Sequence, residues 1–172
     1  MTEPTYDVVI RGGRVATVSD VFEADVAISG ETIVAIGRGL PGGRREIDAR
    51  GKLVLPGGVD SHAHIEQLSA AGIMNADTFE SATVSAAFGG TTTVIPFAAQ
   101  HVGMKLPQVV EEYHALAAKG AVIDYAFHMI IADPTRETLE RDIPALVKQG
   151  HASLKIFMTY DLLKIEIGRA HV

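Results

Sequence analysis

There is no cysteine among the 172 residues. That excludes disulfides and thiolate-held metals, and it fits a cytoplasmic protein. No lysine and arginine cluster is interleaved with aromatic residues, and the net charge is -6. The electrostatic footprint of a DNA- or RNA-binding surface is therefore missing. No apolar run approaches the roughly 20 residues needed to cross a bilayer, so no membrane partner is expected. The opening residues, MTEPTYDVVIRGG, show no basic segment followed by an apolar core, so no secretory signal is expected. What remains is 47% hydrophobic and 21% charged. That is the composition of a soluble globular protein with one ordinary domain or slightly more.

Residues 1 to 55 read as a small β-module. The segments DVVI, RVATV, ADVAIS, GETIVAIG and KLVL are rich in β-branched residues, and the glycines of RGG mark a turn between the first two. From Pro56 the pattern alternates between strand and helix. GVDSHAH reads as a strand, and NADTFESATVSAAFGG as a helix with Asp77 as cap, Glu80 three residues on and Gly89 as stop. TTTVIPF is the next strand. In LPQVVEEYHALAAKG, Pro107 suits a first turn, and Val109, Val110, Tyr113 and Ala117 share one helical face. DYAFHMII is a third strand, TRETLERDIPALVKQG a helix interrupted at Pro144, and ASLKIFMTY a fourth strand. Strand centres near residues 62, 94, 127 and 155 leave about 30 residues per step, enough for one strand and one crossover helix. The expectation is an α/β fold with a parallel sheet. It closes either as an open doubly wound sheet or as a (β/α)8 barrel. No GxGxxG follows the first of these strands, which counts against dinucleotide binding.

Two features carry chemistry. His62 and His64 lie two apart at the C-terminal end of a strand, so both side chains project to one face. In a barrel that end carries the active site. Two neutral imidazoles aimed together are half of a zinc ligand set; the alternative is two surface histidines at the start of a loop. The second feature is Lys155, which shares a strand face with Ser153 and Phe157 while Leu154, Ile156 and Met158 share the other. Lysine is almost never fully buried without a partner. Burial favours the neutral amine, which can react with carbon dioxide to give a carbamate able to bridge two metal ions. The alternative is a lysine at a strand end that reaches water.

Taken together, GGVDSHAH and SLKIFMTYD resemble the amidohydrolase superfamily, in particular its dihydropyrimidinase and hydantoinase branch. DTFESATVSAAFGGTTTVIPF and DYAFHMII are similar to that branch too, and the likeness runs from about Tyr6 to about Lys164. The resemblance implies a partial (β/α)8 TIM barrel of about the first four βα units, residues 56–165, preceded by the N-terminal part of a β-sandwich domain, residues 1–55. It implies His62, His64 and a carboxylated Lys155 as ligands of two divalent metal ions, Zn2+ foremost. Lys155 is thereby also part of the catalytic machinery, and Tyr160 is the hydrogen-bond donor to the substrate carbonyl. The implied activity is ring opening of a cyclic amide or ureide, a dihydropyrimidine or a hydantoin, by a homotetramer. Allantoinase and dihydroorotase are the neighbouring enzyme readings. A non-catalytic dihydropyrimidinase-related scaffold is the reading from another class.

A complete barrel needs about 250 residues, whereas about 110 follow the β-module here. The resemblance implies two further histidines and an aspartate that have no counterpart in this chain. A half barrel with two open edges is expected to aggregate and to be inactive. The last seven residues, EIGRAHV (166–172), are a literal translation of GAGATCGGAAGAGCACACGTC, which looks like a sequencing-library adapter read as coding DNA. They are expected to be a non-native tail. Asp60 is expected to support the two histidines, and Gly57 and Gly58 to serve the turn into the barrel. His101, His114 and His151 are expected to be solvated. His128 is expected to be structural, its loss affecting mainly stability.

Overall fold

The computed structural model describes residues 5–69 and 71–157. The chain divides into two compact units, Met1–Pro56 and Gly57–Val172.

The first unit is a five-stranded mixed sheet. It comprises β1 (Tyr6–Ala16), β2 (Val21–Ser29), β3 (Thr32–Gly37), β4 (Gly43–Asp48) and β5 (Leu53–Val54), in the order β3-β2-β1-β4 with β5 also on β1. β1, β2 and β3 pair antiparallel, whereas β4 and β5 run parallel to β1. The RGG segment does not break the chain into two strands as the glycines suggested. β1 runs straight through it, and its register against β2 slips between Ile10 and Gly13. Gly12 sits at φ +62°, and its N–H donates to Asp25 Oδ1 at 2.9 Å. The two glycines therefore make a bulge instead of a turn. Arg11 beside it donates to Asp25 Oδ2 at 3.1 Å and to Glu46 Oε1 at 2.5 Å. Burial acts to raise the Asp25 carboxyl, but bonds from the Gly12 N–H, Arg11 and the Leu40 N–H outweigh it and hold Asp25 below its ordinary range. β4, the polar run GRREID, has no alternation to announce it. It is an edge strand whose faces are mostly exposed.

The second unit alternates strand and helix: β6 (Gly58–Ala63), α1 (Phe79–Phe88), β7 (Thr91–Ala99), α2 (Leu106–Gly120), β8 (Asp124–Tyr125), β9 (His128–Ile130), a π-helical turn (Thr138–Asp142), α3 (Ile143–Lys148) and β10 (Leu154–Lys155). Every pairing between these strands is parallel, and the order runs β6-β7-β9-β10 with β8 also on β7. A doubly wound sheet reverses its strand order at a switch point. Here the order follows the chain without reversal, β8 and β9 both lying along β7, which is the succession of a barrel. The fold is thus part of a (β/α)8 barrel preceded by a β-module, as the resemblance implied.

The helices follow from local chemistry, with two departures. Thr78, not Asp77, caps α1. Its hydroxyl accepts from the Ser81 N–H at 3.2 Å while the Ser81 hydroxyl accepts from the Thr78 N–H at 3.1 Å. That reciprocal pair satisfies two otherwise orphaned donors, and Asp77 is left to accept from the Ser81 hydroxyl. Pro144 does not interrupt its helix either. It lies in the first turn of α3, where no N–H is needed, and the preceding turn is wound as π. α2 buries Leu106, Val109, Val110, Tyr113 and Ala117, the expected face extended by Leu106. The core against which the helices pack is centred on Phe79, Val94, Leu106, Phe127 and Met129. The third strand is split at Ala126 and Phe127, where Phe127 turns into that core, 3% exposed.

Candidate metal centre

The site is built on the C-terminal ends of the parallel strands of the second unit. His62 is in β6, and His64 follows one residue after its end. Both imidazoles are exposed and tilted against each other, with ring centroids 5.5 Å apart. The His64 Nδ1 meets the Gln67 Oε1 at 2.8 Å. An amide oxygen only accepts, so Nδ1 carries the proton, and in the neutral ring the lone pair lies on Nε2. Asp60 supports His62 through the backbone, not the ring: its Oδ1 accepts from the His62 N–H at 3.0 Å.

Phe97, on β7, is where these groups meet. Its ring lies 4.9 Å from that of His62 and 4.8 Å from that of His64. The Lys155 Nζ stands 3.9 Å from the same ring centroid. A cation over an aromatic face is attracted by the ring quadrupole. Among the described residues Lys155 makes no ion pair. The strand alternation is as expected in phase, but the exposed face is the apolar one: Leu154 and Ile156 are 46% and 60% exposed, while Lys155 and Phe157 are half-buried. A cleft of about 270 Å³ is lined among others by His64, Gln67, Gln100, His101, Lys155 and Phe157. Gln100 is engaged within the fold, accepting from the Ala132 and Asp133 N–H groups and donating to the Met104 carbonyl.

The donor set fits a cation. It offers two imidazoles, one with its ring nitrogen freed by a neighbouring amide. Among the described residues no third His, Cys, Asp or Glu joins them, and Lys155, the third polar side chain on the Phe97 ring, has no lone pair to give as an ammonium and would join them only once its charge is removed. Tyr160 lies outside the described residues.

The described residues include four more histidines. His128 is held at both ring nitrogens, by Ser153 Oγ at 2.6 Å and the Ser61 carbonyl at 2.9 Å. His101 is half-buried against the cleft, contrary to the solvated position expected of it. His114 and His151 are also half-buried, because α2 turns His114 inward onto Phe127, whose ring centroid is 4.8 Å away, and onto His151 at 5.1 Å. Burial, then the charge of His151, push the His114 imidazole below its ordinary value. Sequence reasoning did not single out Phe97, since period-two alternation in TTTVIPF gives it the same face as Thr93 and Ile95 and nothing more.

No family model matches the chain. Its relatives are nevertheless clear. Over 158 residues it is 46% identical to a D-hydantoinase of Streptomyces coelicolor, covering 88% of this chain and 33% of that one. It is 38% identical over 178 residues to a dihydropyrimidinase of Rattus norvegicus, covering 95% of this chain and 33% of the relative. A solved D-hydantoinase structure superposes with a TM-score of 0.85 at 39% identity, covering 90% of this chain and 34% of that one. The architecture is that of part of an amidohydrolase barrel. The chain belongs to the D-hydantoinase and dihydropyrimidinase family, and it spans about a third of the length of the curated relatives it matches.

Proposed function

We propose that the protein to which this chain belongs hydrolyses the C–N bond of a cyclic amide or ureide, a hydantoin or dihydropyrimidine, with the help of two divalent metal ions. The observation that carries this reading is the gathering of His62, His64 and Lys155 around one aromatic ring at the strand ends. His62 and His64 would hold the metal through imidazole nitrogens. Lys155, as a neutral amine, would add to carbon dioxide with loss of one proton, and the carbamate so formed would supply oxygen donors to the metal. When bound, the ions lower the pKa of water and draw electron density from the substrate carbonyl. Tyr160 donates a hydrogen bond to the oxygen that gains charge as the ring opens. The cleft lined by His64 and Lys155, about 270 Å³, has room for a small ring. Zinc fits the nitrogen donors best, and the working form is a cytoplasmic homotetramer.

The test is metal content and turnover of the protein expressed from its intact locus. About two divalent ions per subunit and hydrolysis of hydantoin or dihydrouracil are expected. His62→Ala and Lys155→Ala should each lose metal and activity together. A metal-free wild type that opens no cyclic amide would overturn the enzymatic reading and leave the assembly-only one.

A further inference from the structure

His128 has no place among the proposed ligands, yet it is the most tightly held imidazole near them. Strand register explains where it sits. Phe97 of β7 is paired with His128 of β9, and Ala63 of β6 with Pro96, so His64 falls beside Phe97. Leu154 of β10 is paired with Met129, so Ser153 falls beside His128. His64, Phe97, His128 and Ser153 therefore form one row across four strands, on the face that carries the candidate ligands. Within that row the ring centroids of Phe97 and His128 are 5.2 Å apart.

The two bonds of His128 reach opposite ends of the site. A carbonyl oxygen only accepts, so Nε2 carries the proton and donates to Ser61, the residue before His62. In the neutral ring Nδ1 is left to accept from the Ser153 hydroxyl, two residues before Lys155. β6 and β10 are not neighbours in the sheet: β7 and β9 lie between them. Backbone pairing alone sets their relative position only through two intermediate ladders. His128 adds a direct side-chain link across that span. With both nitrogens so engaged, no lone pair remains for a metal, which separates His128 from His62 and His64.

We infer that His128 is a positioning residue: a Ser61–His128–Ser153 strut that fixes β6 against β10, and so holds Lys155 at the spacing from His62 and His64 that a shared metal cluster requires. The inference rests on the metal reading above for its purpose, though not for its geometry.

Two readouts keep these apart, both on the protein expressed from its intact locus. The first is zinc affinity by competition with a chelator. The second is the rate at which Lys155 is reductively methylated in the metal-stripped protein, followed by mass spectrometry. Ser153→Ala removes one end of the strut without opening a large cavity, and His128→Ala removes both. Each should weaken zinc binding by roughly 10–100-fold, the usual effect of removing a ligand's support. Each should also speed the labelling of Lys155, and Ser153→Thr, which keeps the hydroxyl, should restore both values. Unchanged zinc affinity in Ser153→Ala would overturn the inference. So would weakened zinc binding with unchanged labelling, because that places His128 at the metal itself. If the wild type takes up no zinc while the variants still expose Lys155, the metal reading fails and the strut stands. If His128→Ala does not fold, Ser153→Ala decides alone.

Discussion

A methyl group added at Gly57 would lie 2.0 Å from Thr92 Oγ1 and 2.3 Å from Thr92 Cγ2. Neither Gly57 nor Gly58 has a positive φ, so their use is not the freedom of a turn. At Gly57 it is close approach to a β-branched neighbour that cannot swing away. Gly58 meets nothing nearer than 3.4 Å. Gly57→Ala should therefore destabilise by about 1–3 kcal/mol, Gly58→Ala by less, and Thr92→Ala should recover part of the Gly57→Ala loss. Chemical denaturation of the three variants checks the ordering. At this scale the nearness of His62 and His64 was legible, because H-x-H in a strand fixes a shared face whatever the rest of the fold does. Phe97 was not. A phenylalanine in a buried strand looks the same from sequence whether it fills a core or seats four polar side chains. His114 was misread for a similar reason, since its position on the helix gives no sign that His151 will fold back against it.

At the scale of elements, the reciprocal Thr78–Ser81 pair starts α1, and the Glu66 Oε2 accepts from the Phe79 N–H at 3.0 Å in the same turn. Glu66 is itself at φ +48°, a conformation that costs energy unless neighbours hold it. The helix start and the loop after His64 are thus tied at one point. Thr78→Ala should cost about 1 kcal/mol, and it should loosen the loop as well as the helix. Hydrogen exchange faster at both Glu66 and Ser81 is the expected result; a change confined to the helix would show the two are not coupled. Elements announced by period, such as α2, were legible to within a residue. The bulge in β1 was not, because a glycine pair signals a turn and a bulge alike. β4 was missed because a polar edge strand has no buried face to betray it. Pro144 misled because proline ends one helix and begins another by the same missing N–H.

Across the molecule, both units lose stability on acidification, but in different pH ranges. The His114 imidazole is depressed below its ordinary value of 6.5, so the unfolded chain takes up that proton first. Its contribution is complete above about pH 6.5 and is lost as pH falls below that value. The Asp25 carboxyl is held below its ordinary value of 3.8. Its contribution is complete above that value and is lost only as pH falls further. Stepwise acidification should therefore weaken Gly57–Val172 before Met1–Pro56, and His114→Phe should remove the early step. Hydrogen exchange read separately on peptides from each unit measures this; simultaneous loss below pH 4 would refute it. The architecture was legible at this scale from the spacing of strand centres together with the absence of a dinucleotide signature. Closure as a barrel was legible only through the resemblance, since spacing alone suits an open sheet equally well. No helix among the described residues is long and apolar enough to cross a membrane.

The bulged strand β1 has a consequence in time. Its antiparallel pairing with β2 joins segments adjacent in sequence, whereas its parallel pairings wait for Gly43 to reach Tyr6 and for Leu53 to reach Arg14. Short loops close first, so the β1–β2–β3 meander forms the template and β4 and β5 dock onto it late. Weakening a β2 contact such as Val26 should slow folding of this unit, whereas weakening Ile47 on β4 should mainly hasten its unfolding.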